Sequence, residues 1–292
     1  MQEAQKRAAN LCAILTKKYD PFIYEEFILQ CRAVGKHISS ALNFMPPNEY
    51  CVSDVPYDGS SHINMYKTIS NFCTHGRMPE FAVGRKRVQK ERVVRIALLY
   101  DDSNSMTAWW RSDFLNKQIA EEEAPQTFAK IACVSLCEIF GPRANPLILS
   151  YSDDAIQLKG YRELVIRNGS GATRLDKALY ELERMRWHIR GGKRIIVILT
   201  DGLPEGGMND YMEDCSIQKC SLELLVKFSK WGVRILYLPL LLEAKYASRV
   251  WGMFSALTFT EEIEKQRIVV ERVKSIHELP TALFRGVKKV VA

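Results

Sequence analysis

VVRIALLYDDSNSM, Val93 to Met106, is the stretch on which the fold turns. Its first eight residues, Val93 to Tyr100, form a largely apolar run, the pattern of a strand covered on both faces of a sheet. The run breaks off into DDSNSM, Asp101 to Met106, where carboxylates and hydroxyls replace apolar side chains. A second run of the same kind, IIVILT (Ile195 to Thr200), breaks off into DGLP, Asp201 to Pro204. Between them, QTFAKIACVSLCEIF (Gln126 to Phe140) reads as a helix apolar almost all round, which places it deep in the core. LILSY (Leu147 to Tyr151) reads as another core strand and ELVIR (Glu163 to Arg167) as a third. Leu175, Ala178, Leu179 and Leu182 fall on one helical stripe. Downstream the pattern predicts a helix over 217–231, the strand VRILYLPL (Val233 to Leu240), a helix over 244–254 and a short strand from Ala256 to Thr260. A closing helix carries Leu283, Phe284, Val287 and Val290.

Strands alternating with crossover helices predict an α/β fold: a doubly wound, mostly parallel central sheet flanked by helices. In that architecture ligands bind in the crevice beyond the carboxyl ends of the strands. Asp101 and Asp201 each follow such an end.

Upstream of Val93 the text changes. Phe27, Ile28, Cys31, Val34, Ile38 and Leu42 recur at helical spacing between Pro21 and Pro46, predicting a helix over 22–43, with a shorter one over 4–18. NFMPPNEYCVSDVPYDGS (Asn43 to Ser60) has loop chemistry, and His62 to Cys73 reads as helical again. GRKRVQKERVVR (Gly84 to Arg95) carries six basic residues and one acid. Such a run can mark a nucleic-acid patch, but no aromatic residue interrupts it, and it is read as a solvated linker feeding the next strand. The expected division is a helical N-terminal region with a basic linker over 1–91 and an α/β domain over 92–292.

The chain has 292 residues, of which 47% are hydrophobic and 26% charged, enough for a large core. The first residues lack the apolar stretch of a signal peptide, and the most apolar run, Ile235 to Leu242, is too short to span a bilayer. The expectation is a soluble cytoplasmic protein without membrane contact. Cysteines at 12, 31, 51, 73, 133, 137, 215 and 220 form no C-x-x-C pair, so finger-type zinc sites are not expected. His37, His62, His75, His188 and His277 are scattered and receive no ligand role.

The loops after the two strands, together with the glycine-rich turn NGSGAT (Asn168 to Thr173), offer two carboxylates and three hydroxyls: Asp101, Ser103, Ser105, Thr173 and Asp201. Hard cations such as Mg²⁺ take oxygen ligands of this kind, whereas softer metals favour His or Cys, absent from these loops. Gly169 and Gly171 let backbone segments approach closely. Each residue alone has a plainer reading. Ser103 and Ser105 suit a helix start, Thr173 with Asp176 suits a capping box, and Asp201-Gly202 suits a turn. The joint pattern is what singles the set out.

That pattern resembles the metal-ion-dependent adhesion site of von Willebrand factor A domains. The matching motifs are D-x-S-x-S at Asp101, Ser103 and Ser105, the threonine of SGATRLDKAL at Thr173, and the aspartate of ILTDGLP at Asp201. The resemblance covers residues 92–292. It implies that Ser103, Ser105 and Thr173 hold Mg²⁺ or Mn²⁺ directly or through water, with Asp101 and Asp201 acting mostly through water and hydrogen bonds. It also implies that an acidic side chain of a partner protein completes the coordination. The rim of that binding site is expected at Asp102, Asn104, Trp109, Gly171 and Gly202. The segment Ile63 to Met106 is similar to the approach to the motif in CoxE-like domains, which implies a MoxR-type AAA+ ATPase, or a protein substrate of one, as partner.

Two positions depart from the family pattern: Asp102 and Asn104 replace an apolar residue and a glycine. The extra charge of Asp102 has two open readings, tighter ion binding or repulsion of an acidic partner. Trp109 and Trp110 suit an interface anchor, but at a helical position at least one is read as core. Asp153 and Asp154 are read as a solvated turn. The function expected is a non-enzymatic binding module. The alternatives are nucleic-acid binding through 84–95 and a Mg²⁺-dependent phosphohydrolase. The latter lacks a P-loop and a nucleophile with an evident base.

Overall fold

The structure is a computed structural model that describes residues 2, 21–42, 49–56, 62–63, 65–75, 83–90, 94–108, 124–141, 146–189, 192–206, 211–240 and 251–291. Its regular elements begin with α1 (Pro21–Leu42), β1 (Glu49–Pro56), β2 (His62–Ile63), α2 (Met65–His75) and β3 (Val83–Lys90). They continue with β4 (Val94–Asp101), α3 (Pro125–Phe140), β5 (Leu147–Tyr151), β6 (Ala155–Leu158), α4 (Tyr161–Val165), α5 (Leu175–Arg184) and β7 (Lys193–Thr200). The last are α6 (Tyr211–Lys230), β8 (Arg234–Pro239), α7 (Trp251–Lys265), β9 (Val269–Val270) and α8 (Leu279–Val291). The chain divides into two units: Met45–Arg92, and Met1–Phe44 together with Val93–Ala292.

The larger unit is built on a six-stranded sheet in the order β6-β5-β4-β7-β8-β9, parallel throughout except for β6 against β5. Side chains on a strand alternate between faces, so a buried parallel strand must be apolar on both. Ile96, Leu98 and Tyr100 of β4 join Ile195, Val197 and Leu199 of β7 and Leu236 and Leu238 of β8 in one core. Ala97 and Leu99, Ile196 and Ile198, and Ile235 and Tyr237 enter the other. Helices α1, α3 and α8 cover the first face, and α5, α6 and α7 the second. The doubly wound α/β architecture expected from the alternating pattern is the one observed.

β4 lies at the centre, with β5 on one side and β7 on the other. The winding therefore reverses between β4 and β7, and the crevice beyond their carboxyl ends is the position such sheets offer a ligand.

Helix α3 is buried on nearly every side because it is sandwiched between the sheet and α1. Phe27, Ile28, Cys31, Val34 and Ile38 of α1 belong to the same core as Phe128, Ile131 and Leu136 of α3. Ser135 Oγ donates to the carbonyl of Cys31 at 3.0 Å, and Arg32 Nε lies 2.8 Å from Glu138 Oε2. The N-terminal helix is thus part of the α/β unit, and the division at residue 91 gives way to one in which only Met45–Arg92 stands apart.

That smaller unit is a three-stranded antiparallel sheet, β1-β3-β2, with α2 beside it. Two expectations are corrected here. The supposed linker at 84–90 is strand, and so is 49–56 within the supposed loop. Neither stretch has a clean apolar alternation. Their pairing, Glu49 opposite Lys90 through Pro56 opposite Val83, supplies hydrogen bonds that local composition does not announce.

Two strands of the larger unit are also corrected. Residues 161–165 form helix α4, and the edge next to β5 is taken by the antiparallel Ala155–Leu158. Residues 256–260 lie inside α7, where Phe259 and Ile263, four apart, share the second core; the outer edge strand is Val269–Val270. Of the helix expected over 244–254, residues 244–250 lie outside the described residues, as does the helix expected over 4–18. Among the described residues no helix is long and apolar enough to cross a membrane.

Because α1 shares the core of α3, Phe27→Ala is expected to destabilise the whole larger unit by about 3–5 kcal/mol. Denaturant unfolding followed by far-ultraviolet circular dichroism checks it. A midpoint unchanged from wild type would show α1 to be an independent appendage.

Candidate metal centre

The pairing of β4 with β7 runs in register from Val94 opposite Lys193 to Tyr100 opposite Leu199. The next residues, Asp101 and Thr200, therefore emerge side by side at the carboxyl edge. Thr200 Oγ1 donates to Asp101 Oδ2 at 2.6 Å, and the backbone N–H of Ser103 donates to Asp101 Oδ1 at 3.0 Å. Both carboxylate oxygens of a fully buried aspartate are thereby oriented. Thr200 Oγ1 in turn accepts the N–H of Gly202 at 3.2 Å, and Tyr237 Oη donates to the Gly202 carbonyl at 3.1 Å, fixing the turn that presents Asp201.

The two serines close the gap between the aspartates. Ser103 Oγ and Ser105 Oγ lie 3.1 Å apart, and Ser105 Oγ donates to Asp201 Oδ1 at 3.0 Å. Ser103 stands at the N-cap of the short 3₁₀ turn Asn104–Met106 but makes no side-chain cap there, so its hydroxyl serves the cluster instead.

The third loop arrives through backbone bonds. Asn104 N donates to the Gly171 carbonyl at 3.2 Å, and Ser170 N donates to the Asp102 carbonyl at 2.7 Å. Thr173 and Glu205 exchange both backbone hydrogen bonds, at 3.1 Å each, which ties the buried Thr173 to the loop that follows Asp201. The capping-box reading of Thr173 with Asp176 does not hold: Arg174 is the N-cap of α5, and Asp176 pairs with the Arg174 guanidinium at 2.8 Å. The glycines are required by packing. A Cβ on Gly169 would stand 2.4 Å from the Ser103 carbonyl oxygen, and Gly171 has φ +82° with Asp153 pressed against it.

The structure thus gathers Asp101, Ser103, Ser105 and Asp201 by side-chain bonds and Thr173 by its backbone. The rim residues fare unequally. Asn104, Gly171 and Gly202 line the three converging loops. Asp102 does not project into the crevice: it is 2% exposed, and its Oδ2 receives Arg167 Nε at 2.5 Å and Ser150 Oγ at 3.1 Å. Arg167 thus counters the charge of Asp102. Trp109 and Trp110 lie outside the described residues. Asp153 is exposed and accepts the N–H of Ala172 at 3.0 Å, and Asp154 pairs with Lys177 at 2.6 Å, so this solvated turn braces the glycine loop.

Sequence reading gave no role to Thr200, Arg167 or Glu205. Thr200 looked like the last residue of an apolar strand, and Arg167 was hidden in a segment read as strand. Glu205 gains its importance only from the bridge to Thr173.

Burial, and then the charge of Asp201, pushes the Asp101 carboxyl up to about 8, against the opposing hydrogen bonds from Thr200 and Ser103. Burial, then Asp214 and Asp201, pushes Glu205 up to about 7. Two carboxylates confined together with hydroxyl oxygens are the donor set a hard divalent cation fits, and a cation would relieve the repulsion that raises Asp101. Among the described residues no group of three or more His, Cys, Asp or Glu side chains converges to hold a metal, so an ion here would depend on the hydroxyls.

No protein-family model and no curated protein matches the chain. Among solved structures it is similar to the PilB minor pilin from Streptococcus sanguinis, at 14% identity and a TM-score of 0.46, covering 73% of this chain and 65% of that one. It is also similar to proximal thread matrix protein 1 from the mussel byssus with zinc occupied MIDAS motif, at 16% identity and a TM-score of 0.41, covering 68% and 46%. The chain thus spans less than two thirds of the length of these structures.

The raised Asp101 carboxyl sets the pH dependence of the cation-free protein. The folded state holds a proton that the unfolded chain releases near the ordinary 3.8, so this contribution is complete at low pH and lost as pH rises toward 8. Without divalent ions, the melting temperature is expected to fall between about pH 5 and about pH 8, and less steeply in Asp101→Asn. A wild-type profile with the same slope as the variant would remove the effect.

Proposed function

We propose that this chain is a non-enzymatic binding module of the von Willebrand factor A type, in which Asp101, Ser103, Ser105, Thr173 and Asp201 hold Mg²⁺ or Mn²⁺ and capture an acidic side chain of a partner protein. The observation that carries the reading is the Asp101–Ser103–Ser105–Asp201 cluster, joined by bonds of 3.0–3.1 Å at the point where the sheet reverses its winding.

A bound divalent cation supplies a Lewis-acid position that an outside carboxylate oxygen can fill. The chain's own residues prepare it. Thr200 and the Ser103 N–H orient Asp101, so that its charge faces the cluster without needing to rearrange. Ser105 and Asp201 bridge the two central strands. Since three of the five side chains are neutral hydroxyls, much of an ion's charge is left for an external acid. The role of Asp102 in this scheme is indirect, because its own charge is already met by Arg167.

The upstream likeness to CoxE-like domains supports a MoxR-type AAA+ ATPase, or a protein such an ATPase remodels, as the partner, in the cytoplasm. Titration of Mn²⁺ into chelator-treated protein is expected to show one site, weakened at least about ten-fold, or about 1.4 kcal/mol, in Asp101→Asn and in Thr173→Ala. Capture of a purified MoxR-type ATPase should occur in Mg²⁺ and disappear in chelator. Equal capture in both would sink the proposal.

A further inference from the structure

Asp102 is one of the two positions at which this chain departs from the adhesion-site pattern, and this departure has a counterpart. Its carboxylate accepts hydrogen bonds from Arg167 and Ser150, its N–H donates to the Tyr151 carbonyl at 2.8 Å, and its carbonyl accepts the Ser170 N–H at 2.7 Å. Arg167 is anchored at its other end too: its carbonyl accepts Lys130 Nζ at 2.7 Å and Gln126 Nε2 at 3.1 Å, both from α3. The glycine loop starts at the next residue, and Thr173 lies six residues beyond Arg167. Every geometric tie between that loop and the serine loop is short and local: Gly169 against Ser103, the Gly171 carbonyl on Asn104, and Ser170 on Asp102.

We propose that the Asp102–Arg167 ion pair positions the cation site, pinning the origin of the glycine loop to the end of β4 so that Thr173 is in place before an ion arrives. The proposal rests on the cation-binding reading above. Stability does not account for the pair, since replacing a buried ion pair by apolar residues of similar size is often neutral or favourable, whereas removing one partner strands a charge. What the pair adds is direction. The Nε bond fixes Arg167 relative to β4 while α3 fixes its carbonyl, and the loop leaves from a point defined by both. The pair also counters a third carboxylate charge beside Asp101 and Asp201. Both residues are positioning residues; neither is a ligand.

The test compares Asp102→Leu, Arg167→Leu, the double variant and Arg167→Lys. Each is followed by its melting temperature, by amide hydrogen exchange in chelator, and by Mn²⁺ titration calorimetry. The single leucine variants are expected to melt well below wild type and the double variant close to it. In the double variant the amides of Asn104, Ser170 and Thr173 should nonetheless exchange at least about ten-fold faster while those of β7 do not, and Mn²⁺ should bind at least about ten-fold more weakly. Arg167→Lys, which keeps the charge without the Nε bond, should fall between. A folded double variant with wild-type exchange and wild-type Mn²⁺ affinity overturns the proposal. Should the double variant not fold, wild-type values for both readouts in Arg167→Lys do the same. If wild-type protein itself takes up no Mn²⁺, the cation reading fails, while the exchange rates still decide whether the pair positions the loop.

Discussion

The parallel pairing of β4 with β7 is the constraint on which the rest depends. Its register brings the last residues of two strands, about a hundred positions apart in the chain, to the same point on the sheet edge. The Thr200 hydroxyl then meets the Asp101 carboxylate, and Ser105 meets Asp201. A slip of one residue in β4 would turn Asp101 toward an apolar core, where an unpaired carboxylate costs several kcal/mol. The apolar runs are buried on both faces and would tolerate a slip; their abrupt ends at Asp101 and Asp201 are what define the register.

The site concentrates charge that the fold would otherwise avoid. Asp101, Asp102 and Asp201 are all nearly inaccessible to solvent, and the chain treats them differently. Asp102 receives a guanidinium and a hydroxyl. Asp101 and Asp201 receive neutral donors from residues that also define the crevice; burial raises the carboxyls of both Asp101 and Asp102, but only at Asp102 does a guanidinium oppose the rise. This contrast within one loop separates a charge that serves structure from charges arranged for a ligand.

The layer outside the sheet is equally specific. Helix α3 is buried on nearly every side because α1 packs over it, joined by the Ser135–Cys31 and Arg32–Glu138 contacts. Lys130 and Gln126 at the start of α3 reach the carbonyl of Arg167, so the same helix that fills the core also fixes the base of the glycine loop. Packing energy on one side of α3 is thereby linked to geometry at the crevice.

Periodicity and the breaks in it were enough to read the sheet class, the buried helix, the N-terminal helix at Pro21–Leu42 and the five oxygen-bearing residues, because long apolar runs and sharp changes to Asp and Ser are properties of adjacent residues. Short or polar strands were not legible: Ala155–Leu158, Glu49–Pro56 and Val83–Lys90 owe their conformation to a partner strand, and Ala256–Thr260 is helical because Phe259 and Ile263 find the second core. The same holds within the site. The sequence by itself determined which side chains stand at the ends of strands. Only the tertiary structure decided that β4 and β7 are neighbours, that Asp102 turns inward to Arg167 and that Glu205 bridges Thr173, since each is a pairing between residues whose separation along the chain carries no local trace.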